Sequence, residues 1–182
     1  MLTNCPSACA EAKLNNANKI NNNIAIPDSF YEIKEKDQYG NLLDFSEFQG
    51  KVIYLINTAS HCGYTASNFQ QFARLSSLRD KGLEIVIAPC NQFGLQEPGD
   101  NVAIKEFAES KNFQGIILAK DDVNGPYTRP SFAYLKKITG KNHINWNFDG
   151  KFIIDRSGKV YVPNDEDEVE SMIESLLDSN EL

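Results

Sequence analysis

The 182-residue chain predicts an α/β domain with a mixed central β-sheet flanked by helices and an N-terminal β-hairpin. Two stretches, "KVIYLIN" (51–57) and "LEIVIAP" (83–89), are continuously apolar and β-branched, as expected of strands buried on both faces of a parallel sheet. Between them, "TASNFQQFARLSSLRDKG" spaces Phe69, Phe72, Leu75 and Leu78 three apart and ends on Gly82, so it reads as one helix with a glycine C-cap. A helix, a hairpin and a last helix follow later, so two halves share one sheet.

Taken in order, residues 1–26 are polar, Asn-rich and aperiodic, and read as a flexible tail; residues 27–182 read as a single domain. From Phe30, "FYEIKEKDQYGNLLDF" looks like two short strands around a "YGN" turn. In "GDNVAIKEFAESKNF", Asp100 is placed to cap a helix whose apolar stripe is Val102, Phe107 and Ala108. "RPSFAYLKKITG" predicts a short helix with Phe132, Leu135 and Ile138 inward, and "GKFIIDRSGKVYV" predicts a hairpin turning at "DRSG". The final helix starts near Asp165 and carries Val169, Met172, Ile173, Leu176 and Leu177 at helical spacing. This order is that of a thioredoxin-like fold, which by itself does not define a chemistry.

Composition narrows the partners. Formal charge is −7, from 18 Lys and Arg against 25 Asp and Glu, and the acidic excess lies after Asn164. That run suits the positive end of the last helix, and no basic stripe remains for nucleic acid. Four cysteines in a chain of this length do not form the disulfide framework of a small secreted domain, so the thiols are expected to be reduced at rest. The apolar runs are too short to span a bilayer, the first residues match neither a signal nor a transit peptide, and no Asn-x-Ser/Thr site occurs. Cytoplasm is the expected compartment.

Cys62 sits in "INTASHCGYTASNFQ", where the first buried strand ends and a helix begins. Helix N-termini favour the thiolate, and the polar residues around Cys62 do not read as core. The alternative is a buried structural thiol. Thr65 stands where a Cys-x-x-Cys motif would have its second cysteine, which removes a local dithiol partner. His61 is expected to be exposed and optional. Cys5 and Cys9 read as tail thiols, because no second pair accompanies them and His61 and His143 are the only histidines. Trp146, on composition alone, reads as a core aromatic.

Three segments, "INTASHCGYT", "APCNQFGLQEPG" and "WNFDGKFIIDRSG", resemble the signature segments of the glutathione peroxidase family, in the family's order. The resemblance runs from about residue 28 to 178. It implies a thioredoxin-like fold and reduction of hydrogen peroxide and organic or lipid hydroperoxides, without metal or organic cofactor. It further implies that Cys62 is the peroxidatic residue and that Gln96, Trp146 and Asn147 complete the catalytic set. In other members the peroxidatic position is selenocysteine. Where many cysteine-containing members have a resolving cysteine, this chain has Glu109 or Ser110. Regeneration by an external thiol is therefore expected, glutathione first and thioredoxin second, with Cys5, Cys9 and Cys90 as internal alternatives. The short link before "NWNF" resembles that of monomeric members, whose open site takes bulky lipid hydroperoxides. "VYVPNDEDEVE" departs from the basic segment common there, which weakens the case for glutathione contacts. A non-enzymatic alternative is a redox sensor in which oxidised Cys62 reacts with a partner protein, and turnover separates the two.

Overall fold

The computed structural model describes residues 26–179. The Asn-rich segment with Cys5 and Cys9 lies outside the described residues. The strands are β1 (Lys34–Lys36), β2 (Leu42–Asp44), β3 (Val52–Thr58), β4 (Leu83–Pro89), β5 (Ile116–Ile117), β6 (Lys151–Ile154) and β7 (Val160–Tyr161). The α-helices are α1 (Thr65–Leu75), α2 (Asn101–Ser110), α3 (Pro130–Thr139) and α4 (Glu166–Asp178).

The hairpin β1–β2 is antiparallel, and Gly40 adopts φ 83° in its turn. The main sheet has the order β5-β4-β3-β6-β7. β3 and β4 pair in parallel over seven positions, Val52 opposite Leu83 through Thr58 opposite Pro89. β6 joins the other edge of β3 antiparallel, with Ile56 opposite Lys151. All residues of β3 and β4 are buried, as their continuous apolar runs require.

The sheet separates two cores. Ile53, Leu55, Val86 and Phe152 face Phe132 and Leu135 of α3 and Phe30 and Phe45 near the hairpin. Tyr54, Ile56, Ile85 and Ile87 face Phe69 and Phe72 of α1, Ile104 of α2, and Val169 and Ile173 of α4. Helices therefore cover both sides, and the thioredoxin-like expectation holds.

Local differences have local causes. The helix after Cys62 is α-helical only to Leu75; Ser76–Lys81 continue as a 3-10 helix. The Ser76 and Ser77 hydroxyls donate to the Ala73 and Arg74 carbonyls, a competition that loosens helices, and Gly82 closes the end at φ 103°. Phe30–Glu32 form a 3-10 turn capped by Ser29 rather than a strand. On α2, Val102 is exposed and Ile104 takes the inward position, four residues before Ala108. On α3, Ile138 is exposed. β5 is too short for a periodic signal; Gly115 lets it approach β4, since a Cβ there would run into the Ile85 carbonyl. Among the described residues no helix is long and apolar enough to cross a membrane.

The hairpin is fastened to α3 by a buried ion pair. Arg129 and Glu35 meet at 2.8 Å with both side chains out of solvent, and Ser131 N–H also donates to Glu35. Arg129→Met leaves Glu35 as an uncompensated buried charge, so urea denaturation should show a loss of about 3–5 kcal/mol. The double replacement Glu35→Leu/Arg129→Met should lose much less, because neither charge then remains.

Candidate active site

Parallel β3 and β4 end at the same edge of the sheet, and antiparallel β6 begins there. Three loops consequently converge: the Ala59–Tyr64 loop, the Cys90–Gly99 loop and the Ile144–Gly150 segment. They are the three segments that carry Cys62, Gln96, and Trp146 with Asn147.

Cys62 is held by a threonine clasp. Thr65 Oγ1 donates to the Ala59 carbonyl at 2.7 Å and accepts from Cys62 N–H at 3.2 Å, while Thr65 N–H donates to the Cys62 carbonyl at 3.1 Å. The clasp folds Cys62 back toward α1, whose N-cap is Tyr64 without a side-chain hydrogen bond. As a result Cys62 is only 8% exposed and borders the second core, closer-packed than its polar neighbours in sequence suggest. His61 is exposed, as expected.

Gln96 follows two left-handed residues, Gly94 at φ 63° and Leu95 at φ 54°. For leucine that conformation costs about 1–2 kcal/mol, so the surrounding hydrogen bonds must enforce it. They do so from both sides. His61 N–H donates to the Gln96 carbonyl at 3.0 Å, tying this loop to the residue before Cys62. Asn147 Nδ2 donates to Gln96 Oε1 at 2.8 Å and more weakly to the Phe93 carbonyl at 3.4 Å. With its oxygen occupied, the Gln96 amide has its NH2 end left to donate.

Trp146 is 41% exposed, not a core aromatic. Its ring lies 6.1 Å from that of Phe93 and over Gly94, where an added Cβ would sit 3.3 Å from the indole. The reason it faces outward is Asn57, the polar residue near the end of β3, which sequence reasoning passed over. Asn57 Nδ2 donates to the Trp146 carbonyl at 3.0 Å, Asn57 Oδ1 accepts from Gly150 N–H at 2.7 Å, and its carbonyl accepts from Phe148 N–H at 3.0 Å. Phe148 turns at φ 63° between these anchors. The available signal was an asparagine closing an otherwise apolar strand, since a buried amide requires partners.

Glu97 was also missed. Its carboxylate is buried and accepts from Ser60 Oγ at 3.1 Å; burial pushes its pKa up, while Ser60, Lys120 and His61 pull the other way. Cys90 is fully buried just past β4, and burial pushes its thiol up, with the N–H groups of Gln92 and Val123 opposing. It is a core residue at the strand end. A thiol biased toward its protonated form is a poor attacking group.

Sequence comparison fits this geometry. The family model described as "Glutathione peroxidase" matches residues 30–136, a span that contains Cys62 and Gln96. The chain belongs to the glutathione peroxidase family. It is 46% identical over 139 residues to a protein of Mesembryanthemum crystallinum named "Probable phospholipid hydroperoxide glutathione peroxidase", covering 74% of this chain and 81% of that one. The chloroplastic phospholipid hydroperoxide glutathione peroxidase of Pisum sativum is 45% identical, over 65% of this chain and 52% of its own longer length. A "Glutathione peroxidase-like peroxiredoxin" of Schizosaccharomyces pombe is 42% identical, with 72% and 85% covered. The crystal structure of Trgpx in apo form superposes with a TM-score of 0.65 at 27% identity, covering 83% of this chain and 96% of that one. A thioredoxin-family thiol:disulfide interchange protein of Chlorobium tepidum, at 15% identity and TM-score 0.55 with 85% and 99% covered, shares the fold alone. As a glutathione peroxidase family member, the chain is a peroxidase, an oxidoreductase acting on peroxide. Trp146 and Asn147 lie beyond the span of the family model and reach the site through β6.

Asn57→Ala removes two buried hydrogen bonds and leaves the Gly150 N–H without its acceptor. Chemical denaturation should show a loss of about 2–4 kcal/mol. Peroxide turnover should fall as well, because the Trp146 carbonyl loses its anchor.

Proposed function

We propose that this protein reduces hydrogen peroxide and organic or lipid hydroperoxides through Cys62. The observation that supports the reading is the hydrogen-bonded chain from His61 through Gln96 to Asn147, which ties the loop carrying Cys62 to the loops carrying Gln96 and Asn147. Cys62 thiolate attacks one peroxide oxygen and the O–O bond breaks. The sulfur is oxidised to sulfenic acid, and the other oxygen departs as hydroxide or alkoxide that must gain a proton. Gln96 and Trp146 act as neutral N–H donors to the thiolate and to the leaving oxygen, while Asn147, whose NH2 donates to Gln96 Oε1 and the Phe93 carbonyl, orients the Gln96 amide. Being neutral, they do this without titrating near physiological pH.

The sulfenic acid is then reduced by an external thiol, which forms a mixed disulfide and releases water. A second thiol attacks the external sulfur of that disulfide, freeing the Cys62 thiolate and forming the symmetrical disulfide of the two external thiols. Glutathione is the reductant that the family resemblance puts first, and thioredoxin the second. Internal resolution by Cys90 is disfavoured by its burial and raised pKa. The exposed Trp146 supports an open site that accepts bulky hydroperoxides, as do the phospholipid hydroperoxide names of the relatives. The reading includes a monomer and, on the sequence alone, a cytoplasmic location.

Peroxide consumption by the full chain, with dithiothreitol as reductant, tests this directly. Cys62→Ser should abolish turnover of hydrogen peroxide, cumene hydroperoxide and phosphatidylcholine hydroperoxide. Gln96→Ala, Trp146→Ala and Asn147→Ala should each lower the rate constant for peroxide by on the order of 10²-fold. Full activity in Cys62→Ser would overturn the assignment.

A further inference from the structure

Trp146 is held by its backbone more than by its ring. The indole is 41% exposed and pairs with the Phe93 ring only at 6.1 Å, so packing leaves its direction loosely fixed. Asn57 anchors the carbonyl of this residue. The chain arriving from its amino side is anchored by two amide side chains that the peroxide chemistry does not use, Asn124 and Gln92.

Asn124 is buried between β5 and α3 and treats Ile144 as a strand partner would. Its Nδ2 donates to the Ile144 carbonyl at 2.8 Å, and its Oδ1 accepts from the Ile144 N–H at 3.1 Å. Lys136 Nζ of α3 donates to the same Oδ1 at 3.3 Å and to the Val123 carbonyl at 2.8 Å, which fixes the sense of the amide. One side chain thus occupies both backbone groups of the residue two before Trp146. Gln92 repeats the device from the loop that carries Gln96. Its Oε1 accepts from the N–H groups of Val123 and Asn124 at 3.0 and 2.9 Å, and its Nε2 donates to the Asn124 carbonyl at 2.9 Å. Gln92 is exposed, so no burial obliges its amide to take backbone partners. Together the two residues form a splint from the Gln96 loop through Asn124 to Ile144, separate from the sheet edge.

We infer that Gln92 and Asn124 are positioning residues for the peroxide reaction, setting the direction of the Trp146 indole relative to Gln96. The inference rests on the proposed role of Trp146 as a donor and extends it to groups that touch no reacting atom. Asn147 has its own bonds to Gln96 and to the Phe93 carbonyl, so loss of the splint falls on Trp146. A donor displaced by about 1 Å from its place at the reacting oxygen can cost on the order of 10²-fold in rate.

The test uses the full chain with Asn124→Ala, Asn124→Asp or Gln92→Ala, each alone and combined with Trp146→Phe. Asn124→Asp keeps the acceptor for the Ile144 N–H and Lys136 but loses the donor to the Ile144 carbonyl. Two quantities are read on folded protein: the rate of Cys62 oxidation by hydrogen peroxide, and acrylamide quenching of the single tryptophan, which needs no peroxide. Asn124→Ala should slow oxidation by about 10- to 10²-fold. Asn124→Asp and Gln92→Ala should slow it by about 3- to 10-fold, and all three should alter the quenching. With Trp146→Phe already in place, each should add less than about twofold, because it acts through the residue replaced. Gln92 is exposed, so its variant carries the test even where Asn124→Ala does not fold. A merely structural splint would lower the urea midpoint and leave the rate and the quenching of folded protein unchanged, and that result would overturn the inference. So would a rate loss of the same size with and without Trp146. Full reactivity of Trp146→Phe toward peroxide would instead strike the donor role of Trp146, and the quenching would then decide by itself whether the splint directs the indole.

Discussion

The parallel register of β3 with β4 is the constraint on which the site depends. Seven aligned positions bring the ends of the two strands level, so Cys62 and Gln96 leave the sheet side by side. Because β6 runs antiparallel on the other edge of β3, its amino end brings Trp146 and Asn147 to the same place. A slip of one residue would turn Asn57 to the opposite face and separate it from Trp146 and Gly150. Burial of β3 on both faces is what makes such a slip costly.

The site built on that edge is rigid and mostly neutral. Left-handed Leu95 and Phe148 flank Gln96 and Asn147, and the hydrogen bonds from His61, Asn147 and Asn57 hold the strained turns in place. In the proposed mechanism, preorganised amide and indole donors cost no reorganisation when charge moves from sulfur to a leaving oxygen.

Much of this was legible in the sequence, for physical reasons that differ by element. The buried strands and α4 announced themselves because their apolar spacing had one structural solution, and Asp100 capped α2 as its chemistry required. Val102 and Ile138 were misplaced because short helices of weak amphipathicity leave the inward face to be settled by tertiary packing. Cys62, Gln96, Trp146 and Asn147 were singled out through resemblance, and their roles are part of the proposed function. Asn57 and the Thr65 clasp were not, because their role lies in backbone groups whose positions only the fold defines. The low exposure of Cys62 was likewise unreadable: "NTASHCGYT" is polar in composition, yet its polar groups satisfy one another and leave the sulfur against the core.

The most direct test of the central claim uses the fact that the chain has one tryptophan and that it lies at the site. Stopped-flow fluorescence of Trp146 should change on mixing the reduced protein with hydrogen peroxide, in step with loss of the Cys62 thiol. The change should saturate at one equivalent, proceed far faster than thiol oxidation in the urea-unfolded chain, and vanish in Cys62→Ser. A Cys62 thiol oxidised no faster in the folded protein than in the unfolded chain would contradict the account, because the fold would then add nothing to the reactivity of that sulfur.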